Sequence, residues 1–313
     1  MGPLLLKPNY IAPVWSGARV NGARGLDGPE LFGESFDVSV HDGLVNAVDG
    51  GPYDGVPLDR VLNAFRTEIM GDAAAQGGII QVITMDAGEN LSVQIHPDEA
   101  YARAVEGDQE KSESWYILAA DPGAAIICGT TTDDVVALRA AAEDDSIAER
   151  FGRRVPVQEG DFVLLPAGTM HALTKGIFAI EVGSAGFKTY RVSDWGRGRE
   201  LHVREAFDVL QTGSRPDAEH FGRFDATEPA SCRRAVAHRL FTSDVLDVPE
   251  IYGVETDGVY NIVSCVAGTA TVRAGGEDLE LPFTRSAIVP ACAVSYEVMG
   301  PGRVLVSRPV VAR

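Results

Sequence analysis

Residues 88–96 read GENLSVQIH and residues 160–171 read GDFVLLPAGTMH, and these two stretches decide the fold. If the first is a strand, Gln94 and His96 project to one face while the apolar residues around them project to the other. The second is an apolar strand that reaches a Pro-Ala-Gly turn, and His171 stands just past that turn. Both stretches therefore combine an apolar strand with side chains that can offer lone pairs, which indicates a site built on β-structure.

A third segment, KSESWYIL at residues 111–118, places Glu113 at the start of another strand. Two imidazoles, one carboxylate and one amide oxygen form a mixed nitrogen and oxygen set that suits Zn²⁺, Fe²⁺ or Mn²⁺. Each residue also has a simpler interpretation. A histidine at a strand end is more often only hydrogen-bonded, Glu113 can be a solvated strand residue, and Gln94 a polar group at a sheet edge. The metal site is a hypothesis that depends on all of them together.

The rest of the chain is also rich in short apolar runs separated by Gly, Pro, Asp and Asn, which favours a β-sandwich or barrel. The predicted strands cover residues 78–85, 91–95, 114–119, 124–127, 162–165, 179–182 and 189–192. Three segments have helical patterns instead, at residues 58–70, 133–151 and 199–210. Residues 213–229 are polar and read as a linker, and residues 230–313 alternate apolar runs and turns like a second small β-domain.

Charge and cysteine content restrict the partners and the compartment. The 313 residues include 45 acidic and 27 basic ones, a formal net charge of −18, so we expect neither nucleic acid nor an anionic membrane as a partner. The four cysteines show no CxxC spacing, and we find neither a signal peptide pattern nor a 20-residue apolar segment, which predicts a cytoplasmic protein. An acidic protein that binds an anionic substrate needs a local cluster of Lys and Arg.

The two opening stretches match the two motifs of the cupins, with Gln94 in place of the first histidine of a His-x-His pair. In chain order, LSVQIHPDE, KSESWYIL, LLPAGTMHAL and TYRVSDWGR resemble the type I mannose-6-phosphate isomerases in their short bacterial form. The resemblance extends from near the start to about residue 210 and is weaker beyond. It implies a mainly β fold of two cupin-like jelly-roll sandwiches: a catalytic domain at residues 1–212 with helical insertions near 58–70 and 133–151, then the linker, then a metal-free second domain.

The resemblance also implies roles for individual residues. One divalent ion, with zinc expected and another divalent metal as an alternative, is implied at Gln94, His96, Glu113 and His171. Arg191 matches the family's catalytic arginine, and an anion-binding set is implied at Ser92, Lys111 and Arg191. The simpler interpretations are a solvated loop position for the lysine and a surface salt bridge to Asp194 for the arginine.

The activity implied by the resemblance is interconversion of mannose 6-phosphate and fructose 6-phosphate through an enediolate, with a small sugar phosphate as the ligand. The sequence assigns neither the general base nor the oligomeric state. One departure from the family pattern is Ile83, which stands where members commonly carry a lysine on the strand before Gln-x-His. The alternatives are a non-catalytic sugar-binding or regulatory cupin, which the missing lysine would suit, and a cupin oxygenase.

Overall fold

A computed structural model describes residues 1–311 and consists mainly of short antiparallel strands. The first group of strands comprises β1 (Leu4–Lys7), β2 (Asn9–Ile11), β3 (Glu34–Val38), β4 (Ala47–Val48), β5 (Gln81–Asp86), β6 (Val93–Ile95), β7 (Glu113–Ala120), β8 (Ala125–Thr130), β9 (Gly152–Pro156), β10 (Asp161–Leu165), β11 (His171–Ala172), β12 (Ile177–Gly183), β13 (Tyr190–Ser193) and β14 (Glu219–His220). The later strands are β15 (Ser231–Ala237), β16 (Phe241–Val248), β17 (Ile251–Glu255), β18 (Asn261–Gly268), β19 (Ala270–Ala274), β20 (Glu277–Leu281), β21 (Ser286–Val289), β22 (Ser295–Met299) and β23 (Gly302–Pro309). The α-helices are α1 (Arg19–Arg24), α2 (Leu58–Ala64), α3 (Arg66–Met70), α4 (Glu99–Tyr101), α5 (Val135–Glu143), α6 (Ile147–Phe151) and α7 (Val203–Val209), and a π-helical turn at Ala102–Glu106 continues α4.

The strands form four antiparallel sheets that stack as four layers. The outer N sheet has the order β13-β6-β11-β8-β9, and the inner N sheet has the order β14-β10-β7-β12-β5-β3-β2. The inner C sheet has the order β15-β16-β23-β18-β21-β1-β4, and the outer C sheet has the order β17-β22-β19-β20. The outer and inner N sheets form the N sandwich, and the inner and outer C sheets form the C sandwich. Separate apolar cores fill each sandwich and the space between the two inner sheets. The predicted mainly β, cupin-like class is confirmed.

The sequence of β7 explains why the inner N sheet carries little polar surface. Trp115 and Ile117 point into the core of the N sandwich, whereas Tyr116 and Leu118 point into the core between the inner sheets. A strand covered on both faces needs apolar residues on both, so β7 reads as a continuous apolar run after its first residues. Its one buried carboxylate, Glu113, stands at the end where the strand enters the sheet.

The first strand of the chain lies in the C-terminal part of the molecule. Leu4 of β1 pairs with Ile288 of β21, and Leu6 pairs with Val48 of β4, so β1 and β4 complete the inner C sheet although they come from the N-terminal part of the chain. Within the predicted linker, β14 pairs with β10 of the inner N sheet. The division at residues 213–229 stays a prediction, and the structure adds that chain segments cross between the two sandwiches.

The three segments that were predicted as helices are interrupted or shorter in the structure. Residues 58–70 form α2 and α3 with a break at Phe65, and residues 133–151 form α5 and α6 with a break where Asp145 has a positive φ of 57°. The predicted helix at 199–210 is shorter, since α7 begins only at Val203. A fourth apolar cluster packs α5, α6 and α7 on the outer N sheet and so supports β6, β11 and β13 from behind. Within residues 1–311, no helix is long and apolar enough to cross a membrane.

Candidate metal and substrate site

The two sheets of the N sandwich bring the predicted site residues toward one another. Gln94 on β6 is the register partner of His171 on β11 on one side and of Arg191 on β13 on the other. Partners in adjacent antiparallel strands share a face, so these three side chains form a row across the outer N sheet. Glu113 comes from the opposite sheet, at the start of β7. His96 follows β6 directly.

The distances join four of these side chains into one cluster. Glu113 Oε2 lies 3.3 Å from His96 Nε2, and Glu113 Oε1 lies 3.1 Å from His171 Nε2. The amide nitrogen of Gln94 is 3.4 Å from His171 Nε2. His96, Glu113 and His171 are buried, and across residues 1–311 they are the one group of three or more His, Cys, Asp and Glu residues whose ligand atoms lie close enough to share a metal.

Backbone carbonyls fix the orientation of both imidazole rings. Nδ1 of His96 donates to the Lys188 carbonyl at 3.0 Å, and Nδ1 of His171 donates to the Thr169 carbonyl at 2.8 Å. A carbonyl only accepts, so Nδ1 carries the proton in each ring and Nε2 is turned toward Glu113. Burial, with Lys111 nearby, lowers the pKa of His96 to about 3. The neutral His96 ring therefore presents a lone pair to a carboxylate.

The lone pairs of the two imidazoles and the carboxylate face one another in a buried place, an arrangement that a cation between them would stabilise. Across residues 1–311, His96 Nε2 makes no hydrogen bond of normal geometry, and the charge of Glu113 is balanced by an ion pair with Lys111 on one oxygen only. Buried acceptors without donors are strongly unfavourable, and a divalent ion would satisfy them. Rotation of the Gln94 amide by half a turn offers its oxygen at the same position. The donor set thus fits a divalent metal ion.

Lys111 lies beside this cluster and carries the nearest positive charge. Its Nζ is 2.9 Å from Glu113 Oε2 and 3.2 Å from Glu181 Oε1, and the residue is 8% exposed. Burial by itself would lower the pKa of Lys111, but the two carboxylates outweigh it and raise the pKa. Burial would likewise raise the pKa of Glu113, yet Lys111 and the two imidazoles hold it well below its usual range. Lys111 is a buried ion-pair partner rather than a solvated loop lysine.

Glu181 is a candidate residue that the sequence interpretation missed. It lies on β12, is 3% exposed, and has a pKa raised to about 8 by burial and by the charge of Glu113. Trp115 Nε1 donates to its second oxygen at 3.4 Å. The signal was present, because Glu181 is the one charged residue in the apolar run IFAIEV at residues 177–182.

Two arginines occupy another part of the site. Arg191 Nε donates to Ser92 Oγ at 3.0 Å, and Arg199 Nη2 donates to the same oxygen at 2.8 Å. Asp194 forms its ion pairs with Arg197 and Arg199, at 3.0 and 2.5 Å, and not with Arg191. The simpler interpretation of Arg191, a surface salt bridge to Asp194, is therefore not what the structure has, and Arg199 was not among the residues selected from the sequence. Burial would raise the pKa of Asp194, but these two arginines lower it to about 2.

A cavity of about 230 Å³ lies beside the cluster and is bordered by Gln94 and Lys111, whereas His96, Glu113 and His171 are not part of its lining. Its polar lining consists of Glu34, Ser92, Gln94, Lys111, Glu181, Thr189, Arg191 and Arg199. Its apolar wall includes Trp15, Phe36 and Ile83, so the position of the expected family lysine does face the cavity. Burial raises the pKa of Glu34 to about 7 although Lys111 and Arg199 oppose the rise. The cavity suits a small polar ligand, since it is below the ~300–1,000 Å³ of sites for drug-sized molecules.

The chain is similar over almost its whole length to proteins of one family. It is 33% identical to a mannose-6-phosphate isomerase of Streptococcus mutans over 315 aligned residues, which cover 97% of this chain and 98% of that protein. A probable mannose-6-phosphate isomerase of Bacillus subtilis is 34% identical over 66% of this chain and 68% of its own length. The model of the mannose-6-phosphate isomerase cupin domain matches residues 233–309.

Solved structures agree with these relationships. The mannose 6-phosphate isomerase of Bacillus subtilis has a TM-score of 0.85 and 26% identity, with 98% of this chain and 99% of that chain covered. A mannose 6-phosphate isomerase solved with zinc and yttrium has a TM-score of 0.75 and 14% identity, with 99% of this chain and 100% of that chain covered. At this identity the comparison shows that the two proteins share a fold. The chain therefore belongs to the family of cupin-type mannose-6-phosphate isomerases.

Proposed function

We propose that this protein interconverts mannose 6-phosphate and fructose 6-phosphate as a metal-dependent aldose–ketose isomerase, with one zinc ion per chain. The observation that carries the metal dependence is the convergence of His96 Nε2, His171 Nε2 and the two oxygens of Glu113 within 3.3 Å, with His96 Nε2 left without a hydrogen-bonding partner in the described chain. The substrate is supported by the similarity of 97% of the chain to a mannose-6-phosphate isomerase. Zinc is supported by a mannose 6-phosphate isomerase of the same fold that was solved with zinc and yttrium bound.

The residues that would hold the ion are Gln94, His96, Glu113 and His171, whose mixed nitrogen and oxygen donors suit zinc. Isomerisation moves a proton between two adjacent carbons, and negative charge develops on oxygen in the enediolate. A bound divalent ion supplies Lewis acidity that stabilises such charge. Lys111, which lines the cavity, adds a fixed positive charge beside Glu113. Because the site is buried, this charge acts more strongly than it would in water.

Proton transfer needs a group whose pKa is near the working pH. Glu181 and Glu34 both line the cavity, and burial raises their pKa to about 8 and about 7. A carboxyl shifted in this way can take up and return a proton near neutral pH, whereas an ordinary glutamate is too weak a base. These two residues are the candidates for the general base, and Arg191 is the proposed catalytic arginine that orients the substrate or stabilises the enediolate.

The test is a coupled isomerase assay on the full chain with measured metal content. Protein stripped with a chelator should convert no mannose 6-phosphate, and activity should return in proportion to the zinc that is added back. Mannose, glucose 6-phosphate and mannose 1-phosphate serve as comparison substrates. Zinc-loaded protein that isomerises none of the hexose phosphates would contradict the proposal.

A non-catalytic sugar-phosphate-binding protein is the second candidate, because an apolar Ile83 occupies the cavity wall where the family pattern has a cation. Calorimetric binding of mannose 6-phosphate by zinc-loaded protein without any turnover would support this candidate. Turnover in the coupled assay would exclude it.

A further inference from the structure

We propose that Asp108 is a positioning residue for the metal site, because it fixes the backbone carbonyl that orients His96. The inference rests on the proposed metal-dependent function and deepens it, since it names a residue outside the ligand set on which the affinity for zinc depends. Asp108 lies in the loop between the π-helical turn and β7, and it is not part of the lining of the cavity of about 230 Å³.

The ring of His96 depends on the Lys188 carbonyl for its orientation. Nδ1 of His96 donates to this carbonyl at 3.0 Å, and Nε2 is left with a lone pair 3.3 Å from Glu113 Oε2. Metal-binding histidines commonly have such a partner on the second nitrogen, and losing it typically weakens metal binding about 10- to 100-fold. A change that displaces the Lys188 carbonyl therefore turns the ring and misdirects its lone pair.

Asp108 holds the two peptide groups that precede this carbonyl. One carboxylate oxygen, Oδ2, accepts from the N–H of Phe187 at 2.9 Å and from the N–H of Lys188 at 3.0 Å. The other oxygen accepts from the N–H of Gln109 at 2.8 Å, which holds the carboxylate itself in place. Two successive N–H groups that bind one anion fix the course of the chain, and a charged acceptor makes both bonds stronger. The direction of the Lys188 carbonyl is thus set by Asp108.

The segment at residues 187–189 needs this support because it is a thin wall between two spaces. Phe187 and Thr189 line the cavity beside the metal cluster on one side and a wider cleft of about 530 Å³ on the other. Phe187 is 40% exposed, and its ring packs against His41 with 4.5 Å between the centroids. Such packing restrains the side chain but not the peptide groups, and segments with few buried contacts rearrange easily.

Glu106 makes a second set of contacts with this segment, and these contacts act on side chains. Its carboxylate pairs with Lys188 Nζ at 2.8 Å and accepts from the Tyr190 hydroxyl at 2.7 Å. The long lysine side chain can keep its ion pair while the backbone moves. The positioning role therefore belongs to Asp108, whose bonds go to the backbone next to the carbonyl.

Asp134 provides a control that loses the same kind of contact elsewhere. Its Oδ1 also accepts from two successive backbone N–H groups, those of Val136 and Ala137, at 3.1 Å each. These bonds cap the start of α5 and do not lead to a carbonyl that orients a predicted metal ligand. Asp134→Ala should lower the melting temperature, as the loss of a helix cap does, without changing the affinity for zinc.

The first readout is the dissociation constant of zinc, measured for the full chain by competition with a chelator of known affinity. Asp108→Ala should bind zinc about tenfold more weakly than the wild type. Asp108→Asn should stay within about threefold, because its amide oxygen can still accept both N–H groups. Asp134→Ala should also stay within about threefold of the wild type.

The second readout is NMR of the metal-free protein, in which Nδ1 of each imidazole donates to a carbonyl. In Asp108→Ala, the Nδ1 proton of His96 should exchange faster with water than in the wild type. The Nδ1 proton of His171 is the internal reference, because its partner is the carbonyl of the completely buried Thr169. A general loss of stability would speed the exchange of both protons.

Wild-type zinc affinity in Asp108→Ala, an equal loss in Asp134→Ala, or equal effects on the two histidine protons would overturn the inference. If Asp108→Ala does not fold, the same criteria apply to Asp108→Glu, which keeps the charge but moves the carboxylate by one methylene group. A wild type that binds zinc with an affinity dependent on Asp108, yet isomerises nothing, would remove the proposed isomerase function and support the positioning role.

Discussion

Replacing Glu113 with glutamine should remove most of the metal affinity while leaving the protein folded. Glu113 is the only anionic donor in the cluster, and its oxygens lie 3.3 and 3.1 Å from the two imidazole nitrogens. Structural zinc sites release about 10–16 kcal/mol on binding, so an equal share for each of four ligands is about 3 kcal/mol. A loss of that size lowers the affinity for zinc by roughly two orders of magnitude.

The assay is thermal unfolding of metal-free protein with and without added zinc. At a zinc concentration about 100 times its dissociation constant, the wild type gains about 2.7 kcal/mol, and a variant with a 100-fold weaker site gains about 0.4 kcal/mol. The melting temperature should therefore rise by on the order of 5 °C in the wild type and hardly at all in Glu113→Gln. The amide nitrogen of the glutamine also offers an N–H donor to one of the two imidazole nitrogens, His96 Nε2 or His171 Nε2, which limits the damage to the metal-free form.

Glu110→Gln is the matched control for this experiment. Glu110 is a buried glutamate three residues earlier in the chain, but it pairs with Arg239 and Ser112 outside the cluster. This variant should lose stability and keep the full zinc-induced shift. If Glu113→Gln shows the same zinc-induced shift as the wild type, the assignment of Glu113 as a metal ligand is refuted.

Three further predictions address the surroundings of the site. Lys111→Met should lower kcat by about 10²-fold with a smaller change in KM, as for the loss of a group that stabilises developing charge; a change confined to KM in steady-state kinetics would contradict this role. Asp194→Asn should cost on the order of 2 kcal/mol at pH 7, because the pKa of Asp194 is lowered to about 2 from an ordinary value of 3.8. That stabilisation is present above pH 3.8 and is lost as the pH falls toward 2, so urea unfolding curves of variant and wild type should converge there; a constant difference would argue against the ion pairs. Trp115→Ala should cost about 3–5 kcal/mol, because Trp115 is fully buried against the edge of His171, and a loss below 1 kcal/mol in urea unfolding would contradict the packing.

The fold class, the family and the residues of the candidate metal cluster could be predicted from local sequence patterns. The spacing of Gln94 and His96 puts both on one strand face, and the Pro-x-Gly turn before His171 marks a strand boundary. All seven predicted strands overlap strands of the structure. Family membership is confirmed by the relatives, while the roles of the individual residues remain predictions.

What the sequence did not reveal depends on contacts between distant residues. Glu181 meets Lys111 across 70 positions, and Arg199 meets Ser92 across 107, because strand pairing brings them together. No local pattern encodes which buried strands become neighbours. The same reason explains why β1 was not expected in the inner C sheet, since its partner β21 lies at the other end of the chain.

The break at Asp145 has a more specific cause. Its carboxylate accepts from the backbone N–H groups of Asp194 and Gly196, at 2.7 and 2.6 Å. A tertiary contact to the loop after β13, which contains Arg197 and Arg199, thus coincides with the interruption of a segment whose alanine content favours one continuous helix. The apolar pattern predicted helix there, and the long-range contact decides where the helix ends.

The most direct test of the central claim, that four side chains hold one divalent ion, is X-ray absorption spectroscopy at the zinc edge on protein with measured metal content. We predict one zinc per chain, surrounded at about 2.0–2.2 Å by nitrogen and oxygen atoms only. A sulfur neighbour at about 2.3 Å, which would implicate Cys128 beside His171, or protein that holds no zinc after dialysis would contradict the claim.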